Sequence, residues 1–191
     1  MTVVALTAGQ IDAGLDSPYK LAPAQFTFSI PTTGSTWETT AGNYDSSNQQ
    51  PFTSYSTLTA AEAADFIAAI GVWDALIAPN FAQVADNSSG HGEVRAAFTS
   101  FNMGAGTAGY AFQGGNTAPT SIVGDVWLTS TTAGQNFDYG TSNYQTMIHE
   151  LGHVLGLKHS FEAPVITAPY ENTDYTVMSY TAPAQLVTFG G

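Results

Sequence analysis

The chain has 191 residues, and its three basic residues face fifteen acidic ones, for a net charge of −12. That balance repels nucleic acid and anionic membranes, so neither is expected as a partner. Charged residues reach only 9% while aromatics reach 12%, and cysteine is absent. A disordered acidic tail, a disulfide framework and a cysteine-based latency device are thereby excluded.

The length suits one domain with a real core. No apolar run approaches a membrane span. The opening stretch, Met1 to Ala8, has neither the basic region nor the long apolar run of a secretory signal. Residues 1–24 contain Gly9, Gly14, Pro18 and Pro23 with little periodicity, and predict loop with a single helical turn. Gln25 to Ile30 alternates apolar and polar residues and ends at Pro31, the pattern of a half-buried strand. Thr32 to Ser56 is rich in Gly, Ser, Thr and Asn and reads as a long surface excursion. Asp45 within it offers a calcium ligand, although calcium is not otherwise indicated and a solvated loop is the plainer reading.

Thr59-Ala60-Ala61-Glu62 is a capping box that opens a long helix. Ala63, Phe66, Ile67, Ile70, Trp73 and Leu76 follow at helical spacing and predict one apolar core face. Short strands are expected at Asn80–Val84, Glu93–Thr99, Gly109–Gln113 and Ile122–Leu128. His91 lies in the polar run Ser88-Ser89-Gly90-His91-Gly92 and reads as a solvated loop histidine rather than a second metal ligand. Ser142 to Gln145 offers a second capping box, and Met147, Ile148, Leu151, Val154 and Leu155 supply the buried face of a second long helix.

That second helix carries the chemistry. From His149 to His159 the sequence reads H-E-x-x-H-x-x-G-x-x-H. His149 and His153 share a helix face and can grip one ion together. Glu150 lies about 100° round the axis, able to reach a water on the metal without ligating it. Gly156 ends the helix, because glycine alone enters the left-handed region cheaply, and the sharp exit brings His159 back as a third nitrogen ligand. Zinc held by three protein ligands keeps a position open for water, the arrangement of a catalytic site. Lys158, beside the third ligand, reads as a solvated side chain.

Tyr175-Thr176-Val177-Met178-Ser179-Tyr180 follows. Together the two motifs resemble the metzincin zinc metallopeptidases, and among them most resemble the serralysin family of secreted bacterial proteases, over about Phe26 to Tyr180. The resemblance implies that Met178 supports the three imidazoles from a tight turn. It implies that Tyr180 can ligate zinc and swing away to stabilise the oxyanion. It implies that the strand before the zinc helix, here Gly124, Asp125, Val126, Trp127 and Leu128, is the antiparallel edge to which an extended substrate adds.

The expected fold is mixed α/β. A twisted, mostly parallel sheet with an antiparallel edge strand packs on two long helices, with zinc at a cleft floor. Residues 1–24 are expected as a leader or propeptide-like segment, 25–156 as the upper catalytic part and 157–191 as a short lower part. The only helix material in that lower part is Ala182 to Phe189. So small a part has few means of covering the methionine turn, and an uncovered apolar patch is expected there.

The chain departs from the serralysin pattern at Gly191, where it stops without a further helix or calcium repeats. A fragment, a trimmed product and a short variant all stay open. The implied function is a secreted zinc endopeptidase of broad specificity, exported from Gram-negative cells, with Glu150 as general base and acid. The implied partners are peptide or protein substrates, a proteinaceous inhibitor, and a C-terminal segment or calcium-repeat domain outside this chain. The alternatives are an inactive zinc-binding module of a surface-layer protein and a latent form.

Overall fold

The computed structural model describes residues 5–19, 26–39, 44, 51–78, 80–113 and 122–183. The chain gathers into two compact units, Pro18–Gly156 and Met1–Ser17 with Leu157–Gly191. Asp45 and residues 184–189, part of the helix expected near the C-terminus, lie outside the described residues. No helix among the described residues is long and apolar enough to cross a membrane.

The larger unit is a mixed α/β layer structure. Its strands are β1 (Phe26–Ser29), β2 (Tyr55–Ser56), β3 (Phe81–Gln83), β4 (Val94–Thr99), β5 (Gly109–Ala111) and β6 (Asp125–Thr129). They run in the order β3-β1-β4-β6-β5, with β2 paired to β4. The β1–β3, β1–β4 and β4–β6 pairs are parallel, whereas β5 joins β6 antiparallel. The expected mostly parallel sheet with an antiparallel edge strand is therefore present.

The helices of this unit, α2 (Ala60–Asp74) and α3 (Ser142–Val154), pack together. Trp73 clamps them, its indole N–H donating to the Ile148 carbonyl at 3.2 Å. The expected Thr59–Glu62 capping box forms, and Glu62 also accepts from the Gly134 amide at 2.7 Å. The buried stripe of α2 is Glu62, Phe66, Ala69 and Ile70. Ile67 lies off that stripe and Leu76 follows the last helical turn, so both are exposed, contrary to the expected face. At α3 the cap is Thr141, whose hydroxyl accepts from Tyr144 N at 3.2 Å, and not the expected Ser142 box.

Alternation along β4 and β6 sets the two faces of the sheet. On the helix side, Phe28 meets Phe66 of α2. On the other, Ala97 and Trp127 gather Tyr44, Trp37, Phe52 and Tyr55. These four aromatics belong to the stretch expected as a surface excursion. These four instead cover the second face, because a sheet buried on one side only would leave Trp127 in water.

Arg95 and Asp125 form a buried pair on this face, Nε to Oδ1 at 2.7 Å. Arg95 also donates to the Thr36 carbonyl, and Tyr44 donates to Asp125 Oδ2 at 2.8 Å. Burial pushes the Asp125 carboxyl up, and the guanidinium and the tyrosine hydroxyl pull it back toward the charged form. The pair is retained because every contact made by the carboxylate is charge-assisted.

The smaller unit contains a third helix, α1 (Ala8–Leu15), where loop with a single turn was expected. Thr7 and Gln10 make a reciprocal capping box that offsets the weakness of its two glycines. Gly14 backs directly onto Ile166, so closely that a Cβ would collide with that side chain. Ile11 and Leu15 join Leu6, Ile166, Tyr170 and Tyr175 around an apolar cavity of about 220 Å³.

Candidate active site

Thr141 starts α3, and packing of Met147, Leu151 and Val154 fixes its rotation. His149 and His153 then stand one turn apart, their rings 4.6 Å between centroids and at 89°. His149 and Glu150 are buried as well, so α3 is enclosed nearly all round and not on one face alone. The side-chain amide of Gln113 lies 3.0 Å from Nδ1 of His153. The atom in contact is the amide nitrogen Nε2.

Gly156 has φ +97°, the left-handed conformation that the motif requires, and its amide donates to the His153 carbonyl. Three residues on, His159 is held on three sides. Glu162 Oε1 lies 2.7 Å from Nδ1, Tyr180 Oη lies 2.7 Å from Nε2, and Phe161 stacks on the ring at 4.7 Å and 9°. A carboxylate on Nδ1 accepts its proton and leaves Nε2 as the ligand nitrogen. Neither Gln113 nor Glu162 was singled out from the sequence; a carboxylate three residues after the last histidine was the available signal for Glu162.

The three histidines form a group that could hold a metal, their ligand nitrogens all within 4.8 Å of one another. Three imidazoles are a borderline-soft nitrogen set that suits zinc at bond lengths near 2.0–2.1 Å. Glu150 supports the fit. Its Oε2 is buried without a hydrogen-bond partner in the structure, and burial pushes its carboxyl up to about 8. A cation nearby would relieve that burial cost by favouring the carboxylate.

The supporting residues belong to the smaller unit. Met178 is fully buried in the turn after Thr176, and its carbonyl accepts from Ser160 N at 3.1 Å. Glu171 ties the turn together, taking hydroxyl bonds from Ser160 (2.9 Å), Ser179 (2.6 Å) and Thr181 (2.7 Å). These bonds lower its pKa. Tyr180 is 68% exposed, and its ring lies against His159 at 4.9 Å and Phe161 at 5.2 Å. Lys158, expected as a solvated side chain, is instead bonded through Nζ to three backbone carbonyls.

The expected substrate strand needs correction. Asp125, Val126, Trp127 and Leu128 form β6, which is buried and paired on both sides, to β4 and β5. Gly124 precedes it in a turn at φ +97°, where a Cβ would collide with the Glu93 carbonyl oxygen. Such a strand has no open ladder to offer. The antiparallel strand at the end of the sheet order is β5, and Gly109 brings its backbone onto α3. A Cβ there would meet Glu150 Cγ at 3.2 Å and the Trp127 carbonyl at 3.1 Å. His91 contacts the neighbouring Gly92 carbonyl through Nδ1 and belongs to no metal group among the described residues.

A family model described as metallo-peptidase family M12 matches residues 25–189. No curated protein matches the chain.

Proposed function

The chain belongs to metallopeptidase family M12, and we propose that it is a zinc endopeptidase of broad specificity acting outside the cell. The observation that carries this reading is the cluster of three imidazole donors with the buried, underbonded carboxylate of Glu150 in their midst along the chain. A bound zinc ion supplies Lewis acidity and makes water a nucleophile near neutral pH.

His149, His153 and His159 would hold the ion. Glu150 takes the proton from the attacking water and hands it to the leaving amine, a role that suits a buried carboxyl pushed up to about 8. Tyr180 gives up its bond to His159 and donates to the developing oxyanion. Met178 supports the turn and takes no part in the chemistry. An extended peptide adds to the edge of β5, where main-chain hydrogen bonds hold it whatever its side chains, which accounts for broad specificity. The serralysin likeness is the finer part of the reading, supported by Tyr180 two residues after Met178 and by its contact with His159. Secretion, and export from Gram-negative cells, rest on that likeness alone.

A peptide-library digest tests the proposal. Zinc-loaded protein should cleave internal bonds in many sequences, lose activity to a chelator and regain it with zinc. No cleavage by zinc-loaded protein contradicts it.

A further inference from the structure

Lys158 directly precedes the third imidazole, and its ammonium is a junction. Nζ donates to the carbonyl oxygens of Gly14 at 2.7 Å, Glu162 at 2.7 Å and Pro164 at 2.9 Å. Three donors meet three acceptors, the full capacity of the group. The Gly14 carbonyl is one of the last in α1, left without an intrahelical partner, and a cation is favoured at that end of a helix. The other two carbonyls flank the loop whose Glu162 carboxylate meets Nδ1 of His159.

The backbone makes the same connection again. Lys158 N donates to the Leu15 carbonyl at 2.8 Å, and Asp16 forms an antiparallel bridge with Leu157. Ile166, against which Gly14 packs, has its amide bonded to the Ser160 carbonyl at 2.7 Å, immediately after the ligand. The residues on either side of His159 are thus bound to, or packed through, one helix more than 140 positions earlier in the chain.

We propose that α1 and Lys158 form a strut for the third metal ligand, with Lys158 as a positioning residue for His159. On this reading residues 8–16 are a working part of the metal site and are retained, not shed as a leader. The inference rests on the assignment of the three histidines as zinc ligands. The physical reason is preorganisation. A ligand on a free loop must be ordered when the ion arrives, and that entropy is subtracted from affinity. The strut orders the loop beforehand.

The test uses the full chain and measures zinc dissociation constants by chelator competition, well below each melting temperature. Lys158→Met keeps the aliphatic stem and removes the three bonds; it should weaken zinc binding by roughly tenfold, as loss of a ligand-orienting partner does. Gly14→Val, which drives α1 from Ile166, should weaken it as well, and adding Ile166→Ala should recover affinity. Ile70→Ala, a core truncation in the larger unit, should lower the melting temperature and leave zinc affinity unchanged. If Lys158→Met fails to fold, Lys158→Arg takes its place, since a planar guanidinium cannot meet the same three carbonyls.

Wild-type zinc affinity in the Lys158 and Gly14 variants overturns the strut, as does equal weakening in Ile70→Ala. Absence of zinc binding in the wild type overturns both the strut and the function proposed above. Zinc binding without peptide hydrolysis overturns only the peptidase reading, because the strut is judged on affinity.

Discussion

Glu162 Oε1 lies 2.7 Å from Nδ1 of His159, so the third ligand arrives with its tautomer already chosen. The bond is half exposed on the carboxylate side, and its value lies less in stability than in aiming Nε2. Glu162→Ala should leave the fold intact and weaken zinc binding by roughly 10- to 100-fold. Glu162→Gln, whose amide oxygen still accepts from Nδ1–H, should lose less. Chelator competition on both variants, beside a thermal melt, checks the order.

Tyr180 is placed to move. Its hydroxyl touches His159 Nε2 at 2.7 Å while most of the ring stands in solvent. Tyr180→Phe should keep zinc and leave KM nearly unchanged, yet lower kcat by roughly 10²–10³, the usual cost of one oxyanion donor. A raised KM at constant kcat would show that Tyr180 only holds substrate.

The methionine turn should loosen in acid. Hydrogen bonds from Ser179, Thr181 and Ser160 hold the Glu171 carboxyl below its ordinary value of 4.5. A carboxylate with a depressed folded pKa stabilises fully above its unfolded value and loses that contribution as pH falls through the folded one. The stability that Glu171 adds should therefore be constant above about pH 5 and decline below it. Melting temperature against pH for the wild type and Glu171→Gln checks this; the two curves should converge in acid.

How much of this was readable beforehand depended on the range of the interaction. Thr59 and Glu62, the histidine spacing and the left-handed Gly156 are local devices, and each was legible because its cause lies within a few residues. The helix α1 was legible in part: Thr7 and Gln10 form a capping box in sequence, but Gly9 and Gly14 obscure the periodicity. Gly14 is there for the close approach to Ile166, a contact no window around position 14 can show.

The strand β6 failed for a different reason. Apolar alternation gives a strand its faces, whereas its neighbours are chosen by residues far away, so Val126 and Leu128 could not distinguish an edge from an interior place. Trp37, Tyr44 and Phe52 were hidden in a polar, glycine-rich stretch whose composition reads as loop. Lys158 carries no period at all, and its bond to Gly14 became visible only when α1 was in place, whereas Glu162 stands three residues from its partner His159.

The central claim is the division of labour between ligands and general base, and one paired measurement tests it most directly. Zinc content and turnover are measured side by side in His159→Ala and Glu150→Gln. The first should lose the metal, since only two imidazoles remain. The second should keep zinc at the wild-type level and lose turnover, since the proton acceptor is gone while the ligand set is whole. Equal loss of zinc in both variants, or an active Glu150→Gln, would contradict it.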